Sequence, residues 1–170
     1  NNVAVGGDPD RIAGLDNFCW PDPVQSEKTP DGEYKLAQLV RANQALYEYC
    51  KGFGMPLISG KDSMKNDAMI GGIKISIPPT VLISALGKMN DVRKAVTMDA
   101  KKPGDLVYIL GETLEELGGS EYFASKGFIG NRVPTVHVNR AKALYQRVFQ
   151  AIQQGLIQSC HDCSDGGLGV

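Results

Sequence analysis

Residues 33–53 carry one uninterrupted helical signal, and that signal dictates what the rest of the chain must supply. Leu36, Leu39, Val40, Asn43, Leu46, Tyr47 and Cys50 recur at steps of three and four residues, which puts them on one stripe. Asp31 stands where an N-cap belongs, and Gly52 or Gly54 offers a stop. A long helix with one apolar stripe must bury it against another layer. Strand signals around it at residues 3–7, 12–20, 56–59, 73–77 and 80–86 are the material for that layer. Asn43 is the one polar residue on the stripe. A buried Asn needs partners, which a structural hydrogen bond or a ligand would provide.

The remaining stretches read as connections or as a second region. Residues 21–32 hold three prolines among Asp, Ser and Thr and are expected to be a loop. Gly60-Lys61-Asp62-Ser63 is expected to be a turn after a buried strand. Residues 91–96 suit a short helix. Lys101-Lys102-Pro103-Gly104 reads as a linker. Beyond it come a strand at 105–110 and helical periodicity at 114–126, interrupted by Gly118-Gly119-Ser120. A second long helix follows at 139–154, with Ala143, Leu144, Val148, Ala151 and Ile152 on its face. Residues 156–160 suggest a lead into a strand. Strands outnumber helices before Lys101, and the later stretch is more helical, so a boundary is placed at 104, giving subdomains 1–104 and 105–170.

Composition narrows the class of molecule. Of 170 residues, 42% are hydrophobic and 22% charged, as in ordinary globular proteins. The net charge of −1 argues against a nucleic-acid surface, which needs a basic patch. No apolar run approaches the roughly 20 residues of a membrane helix. Residues 1–7 lack the basic start and apolar core of a signal peptide. Both ends read as cuts through a longer protein. Cys19, Cys50, Cys160 and Cys163 are too few for a disulfide scaffold, so reduced thiols and a cytoplasmic location are expected.

Four places have the residue types for chemistry. Gly6-Gly7-Asp8 follows a strand signal: paired glycines let backbone approach a phosphate, and Asp8 suits Mg²⁺, although a plain turn uses the same residues. Gly60-Lys61-Asp62-Ser63 has a lysine after a strand, yet it is no P-loop, because the upstream glycine would fall at Met55 and Asp62 follows the lysine. Gly118-Gly119-Ser120 places free amides and a hydroxyl at a helix start, suited to an anion or to a packing break. Cys160-His161-Asp162-Cys163 lacks the further ligands of a zinc site. Asp162 and Asp165, with Ser164, Gly166 and Gly167, form a polar turn suited to Mg²⁺ or to helix capping.

Taken in order, several segments resemble one family. They are Val3-Ala4-Val5-Gly6-Gly7-Asp8-Pro9, Leu15-Asp16-Asn17-Phe18-Cys19-Trp20-Pro21, Ile58-Ser59-Gly60-Lys61-Asp62-Ser63-Met64-Lys65-Asn66-Asp67, Ile75-Ser76-Ile77-Pro78-Pro79-Thr80, Leu117-Gly118-Gly119-Ser120-Glu121-Tyr122 and His161-Asp162-Cys163-Ser164-Asp165-Gly166-Gly167-Leu168. Together they resemble the C-terminal half of the synthetase subunit of the phosphoribosylformylglycinamidine synthase family, within the aminoimidazole ribonucleotide synthetase-like superfamily.

The resemblance implies an α+β fold: an N-terminal-type subdomain with a mixed sheet packed by helices, as the second copy of a duplicated unit, then the start of an α/β C-terminal-type subdomain. It implies an ATP-dependent carbon–nitrogen ligase of purine biosynthesis as the parent, with this part alone inactive. It implies ATP or ADP and Mg²⁺ as ligands, with Asp8 and either Asp162 or Asp165 as metal-binding acids. Gly6, Gly7, Asn43, Lys61, Asp62, Gly118, Gly119 and Ser120 are the implied nucleotide or phosphate contacts; the catalytic residues are not assigned. Leu39 and Val40 stand where some relatives carry an acid on the helix. The implied partners are the first half of the synthase, a glutaminase domain or subunit and a small ribonucleotide substrate, and self-association is expected. The competing readings are another ATP-dependent enzyme of the superfamily and a half that only docks its pseudo-symmetric partner.

Overall fold

The computed structural model describes residues 1–169 and is built around one central strand. That strand, β1 (Ile12–Cys19), runs parallel to β2 (Leu57–Ser63) and antiparallel to β5 (Thr80–Gly87), so the sheet is mixed, with order β2-β1-β5. Parallel neighbours cannot be joined by a hairpin and need a long crossover. The helix α1 (Gly32–Phe53) is that crossover. It ends at Gly54, whose φ of 73° is the left-handed conformation a helix stop favours, and its amide donates to the Cys50 and Lys51 carbonyls. Asp31 occupies the N-cap position, but its carboxylate pairs with Lys35 at 3.0 Å rather than capping the first amides.

Alternation along β1 decides what α1 covers. Phe18 is 2% exposed and Trp20 just beyond the strand 4%, their rings 6.0 Å apart. The Trp20 indole Nε1 donates to the Lys35 carbonyl of α1 at 2.9 Å. Burial pushes the Cys50 thiol of α1 up, and the Asp16 carboxylate adds to that shift. Gly14, Asp16, Phe18 and Trp20 therefore lie on the helix side of the sheet, and Leu15, Asn17 and Cys19 on the other.

A second core joins distant parts of the chain. Val3, Val96, Val148 and Ile152 are buried together, with Ile12, Leu144, Phe149, Ile157 and Cys160 packed around them. Val148 and Ile152 belong to α3 (Val138–Gln153), so the helix face expected from the sequence is the one that is buried. This helix also rests on α1. Tyr49 Oη donates to the Val136 carbonyl at 3.1 Å, and Phe53 stacks on Tyr145 at 6.0 Å. A Cβ on Gly52 would sit 2.7 Å from Val138 Cγ1, so the contact requires glycine.

A separate hairpin, β3 (Asp67–Ile70) and β4 (Ile73–Ser76), turns at Gly71-Gly72, both at positive φ. Its inner face is polar. Asp67 Oδ2 accepts from the Asp22 amide at 3.1 Å, and Lys74 Nζ donates to Thr29 Oγ1 at 2.7 Å. Ser76 Oγ accepts from the buried Lys35 ammonium at 3.0 Å. The hairpin is thus clasped to α1 and the 22–29 loop by side-chain polar contacts, and Ile70, Ile73 and Ile75 face outward, exposed.

Several expectations are corrected. Residues 3–7 are turns, with Gly6 and Gly7 amides donating to the Val3 and Asn2 carbonyls. Gly60 to Ser63 are part of β2, because β1 offers a ladder to them, and they do not form a turn. The same strand is exposed along most of its length rather than buried. Residues 105–110 form no strand: a ladder needs a neighbour, and among the described residues they have none, leaving Val107 94% exposed. The helical stretch at 114–126 shortens to α2 (Glu121–Ser125), because the Gly118 and Gly119 amides are bonded to the loop that follows it, at Arg132 and Ile129. Residues 156–160 form no strand either; Ile157 and Cys160 pack under α3 instead. The α1 stripe is only partly covered, with Leu36, Val40 and Tyr47 exposed. Residues 91–96 contain a single 3₁₀ turn, Val92–Lys94, capped by Asp91.

Two outcomes are expected. Ile152→Ala removes a side chain that touches the tight turn at Gly6 and should cost about 2–4 kcal/mol in urea denaturation. The Asp67 carboxyl is pushed up by burial, but the Ser76 hydroxyl, the Asp22 amide and Lys74 outweigh this and hold it below the usual carboxylate range. A lowered folded-state value gives stability that is complete above the unfolded value near 3.9 and is lost as pH falls through the folded one. Asp67→Asn should therefore be less stable than wild type at pH 6–7, with the gap closing below about pH 4. An unchanged gap across that range in denaturation curves would contradict the clasp.

Candidate functional site

The register of the sheet sorts its polar residues onto two faces. Residues directly opposite one another on paired strands share a face. Leu15 stands between Ser59 and Ser84, Asn17 between Lys61 and Leu82, and Cys19 between Ser63 and Thr80. This face is turned away from α1. The other face pairs Asp16 with Gly60 and Ile83, and Phe18 with Asp62 and Val81. Two contacts agree with the sorting. Lys61 Nζ donates to Ser63 Oγ, two residues on, and a Cβ on Gly60 would collide with Asp16 Oδ1.

The open face therefore holds one ammonium among hydroxyls and an amide, and no carboxylate from these strands. Lys61, Ser59, Thr80 and Ser84 are exposed, and Ser63 is half-buried. Asn17 Oδ1 is covered and accepts no hydrogen bond among the described residues, so this side chain is not fully satisfied by the fold. Lys61 forms no ion pair among the described residues. The lysines nearby do: Lys35 with Asp31 at 3.0 Å, Lys65 with Asp22 at 3.7 Å and Lys74 with Asp67 at 3.5 Å. Lys61 thus presents an unneutralised charge with neutral donors beside it, which suits an anion. Asp62, expected beside Lys61 at a common site, lies on the opposite face.

The other candidates are dispersed. Gly6 and Gly7 are buried and their amides are used within the turn. A Cβ on Gly6 would lie 3.3 Å from Ile152 Cγ2, and one on Gly7 would lie 2.7 Å from the Asn2 carbonyl oxygen, so both glycines serve packing. Asp8 Oδ1 accepts from the Asp10 amide at 3.0 Å and closes a local turn. Asn43 is exposed and donates to the Leu39 carbonyl on its own helix at 3.0 Å. The Gly118 and Gly119 amides donate to the Arg132 and Ile129 carbonyls at 2.6 and 2.7 Å. Ser120 Oγ donates to the Leu117 carbonyl and accepts from the Phe123 amide, capping α2. Those groups are spent on the loop and are not free for an anion.

The three acids expected to hold Mg²⁺ do not converge. Among the described residues no three His, Cys, Asp or Glu side chains form a metal-ligand group. Asp162 accepts from Ser164 Oγ at 2.8 Å, and that hydroxyl is the main cause holding its carboxyl below the usual range. Asp165 is exposed. Mg²⁺ demands several oxygen ligands in octahedral array. The residues described here do not fit it.

No local pattern marks a cleft of about 520 Å³ beyond the carboxyl ends of β1 and β2, lined by Asp22, Lys28, Thr29, Asp67, Met69 and Lys74 among others. Its walls are the 22–29 loop and the hairpin, which meet only in three dimensions. Lys74 Nζ is already engaged by Thr29, the Lys28 carbonyl and Asp67, so the clasp uses its donors. Thr80, Ser84 and Asn17 lie outside the motifs singled out in the sequence, whereas Ser59 and Ser63 flank Lys61 within one of them. The period-two spacing of Ser59, Lys61 and Ser63 is the signal that places both serines on the face of Lys61 once the segment is a strand.

Comparison with known proteins agrees with the resemblance. Residues 102–170 match the family described as AIR synthase related protein, C-terminal domain. Over 171 residues the chain is 37% identical to phosphoribosylformylglycinamidine synthase subunit PurL of Alkaliphilus metalliredigens, covering 100% of this chain and 21% of that protein. It is 35% identical over 173 residues to the subunit of the same name from Methanocaldococcus jannaschii, covering 100% of this chain and 22% of that one. With the Anaeromyxobacter sp. (strain Fw109-5) subunit the identity is 33% over 171 residues, with 100% and 21% covered. The chain spans about a fifth of the length of these curated relatives. From end to end the chain is similar to one segment of these phosphoribosylformylglycinamidine synthase PurL subunits.

Proposed function

We propose that this chain supplies a phosphate-binding sheet face to a phosphoribosylformylglycinamidine synthase. In that reaction the amide oxygen of formylglycinamide ribonucleotide is phosphorylated by ATP, and ammonia derived from glutamine displaces the phosphate to leave the amidine. Chemistry of this kind depends on positioning and on donors aimed at phosphoryl oxygens. The observation that carries the reading is the open face, where Lys61, beside Ser59, Ser63, Asn17 and Ser84, has no counter-ion among the described residues. Lys61 would meet the phosphate charge, and the serines would orient its oxygens. Asp62, Asn43, Gly118, Gly119 and Ser120 would act from outside that face, through the fold. The glutaminase chemistry and the first half of the synthase would come from elsewhere, which accords with the fifth of the relatives' length spanned here. The chain by itself would not turn over. We also divide it near Pro103-Gly104, with an N-terminal-type subdomain before and a C-terminal-type one after.

A second reading has its own observation. The outer face of the hairpin carries Ile70, Ile73 and Ile75 at 63%, 68% and 50% exposure, an aliphatic surface of the kind that marks an interface. The chain would then also serve as a docking half, pairing with a pseudo-symmetric partner or, alone, with a second copy.

Two measurements test these readings. In titration calorimetry with ADP at fixed Mg²⁺, Lys61→Ala should weaken binding about tenfold or more, while Asp8→Ala should leave it nearly unchanged. Loss of binding in Asp8→Ala with normal binding in Lys61→Ala would move the site to the Gly6-Gly7-Asp8 turn. In sedimentation velocity the chain should form a concentration-dependent dimer, and Ile73→Lys should shift it to monomer. A monomer at all concentrations would remove the docking reading.

A further inference from the structure

The family resemblance brings Mg²⁺ with it, and the residues of this chain do not fit that ion at the face where the phosphate would bind. We propose that the open face holds a phosphate group directly, with Lys61 in the place a divalent cation would fill, so that binding there needs no metal. The proposal rests on the reading of this face as a phosphate site.

The donor set is the first argument. Mg²⁺ is held by oxygen ligands, usually including one or two carboxylates. From β1, β2 and β5 the open face has none. Asp16 and Asp62 are the two acids on β1 and β2, and the register sends both to the α1 side. Asp16 lies there with its Oδ1 against Gly60. For Asp16 to reach the open face β1 would have to slip by one residue, which would turn Phe18 out of its buried position; for Asp62 to reach it β2 would have to slip, which would carry Lys61 off that face.

Charge is the second argument. A divalent cation beside Lys61 would be repelled by it, and no carboxylate among the described residues neutralises that ammonium. Lys35, Lys65 and Lys74 each have an acid within ion-pair distance, so their charges are largely used inside the fold. Among the described residues Lys61 donates only to Ser63 Oγ, which remains able to donate its own proton. A phosphate oxygen accepting from Lys61 Nζ and Ser63 Oγ would complete both. Asn17 stands in register between Lys61 and Leu82, but its Oδ1 is covered, so it is not placed to meet the ligand.

The experiment uses the 170-residue chain and ADP as the probe, titrated once in EDTA and once in excess Mg²⁺. The expected result is a dissociation constant that agrees within about twofold between the two conditions, and that rises about tenfold or more in both for Lys61→Ala. Lys61→Arg, which keeps the charge, should restore most of the affinity. Circular dichroism on the variants checks that the exposed substitution leaves the fold intact. Binding that appears only with Mg²⁺ and vanishes in EDTA, yet still falls in Lys61→Ala, would overturn the metal-free mode while leaving the phosphate face in place. Binding insensitive to Lys61→Ala in both conditions, or absent in both, would overturn the face itself and the metal-free mode with it.

Discussion

Everything in this chain is referred to the double pairing of β1. One strand holds β2 in parallel on one edge and β5 antiparallel on the other, so a single register fixes three strands at once. The parallel partner forces the long crossover, and α1 is its only means. The helix is then pinned to the sheet by a buried Phe18–Trp20 pair and an indole hydrogen bond into its own backbone. Were β1 to shift by one residue, the buried aromatic and the open-face residues would exchange sides. The core and the candidate site would be lost together.

The same pairing explains why the site is electrostatically simple. Alternation in β1 and β2 carries Asp16 and Asp62 to the helix side and leaves Lys61 with serines and Asn17 on the other. A motif of lysine, aspartate and serine in sequence is thus split by the pleat into an acidic face and a basic one. Elsewhere the polar groups are spent internally. The Asp67–Lys74 pair and the Lys35–Ser76 bond clasp the hairpin, and the amides of Gly6, Gly7, Gly118 and Gly119 close their own loops. Polar groups in half-buried positions must find partners, and those that find them inside the fold are not available to a ligand.

Exposed apolar surface is distributed unevenly. The hairpin turns its isoleucines outward because its inner face is needed for the polar clasp. On α1, Leu36, Val40 and Tyr47 flank the covered arc, since the sheet and α3 together span only part of the circumference. The second core makes up for this by binding the N-terminal turn, the segment around Val96 and α3 into one body, across a large separation in sequence.

By itself the sequence determined the two long helices, β1, β5 and β4, the buried residues of α3 and the likeness to a segment of the PurL subunits. These rest on local periodicity and on ordered motifs, which survive whatever packs around them. It misread Gly60 to Ser63 as a turn, because a glycine after an apolar run has the same local chemistry whether or not a neighbouring strand is present to receive it. It read residues 105–110 as a strand for the converse reason: β-branched and aromatic residues favour a ladder but do not create one. The tertiary structure alone decided which side of the sheet each polar residue takes, that Asp8, Asp162 and Asp165 form no common metal-ligand group, and that Gly6 packs against α3 and Gly7 against Asn2. Faces and distances depend on register, and register is set between strands that lie some 40 to 70 residues apart in sequence, beyond the reach of any local pattern.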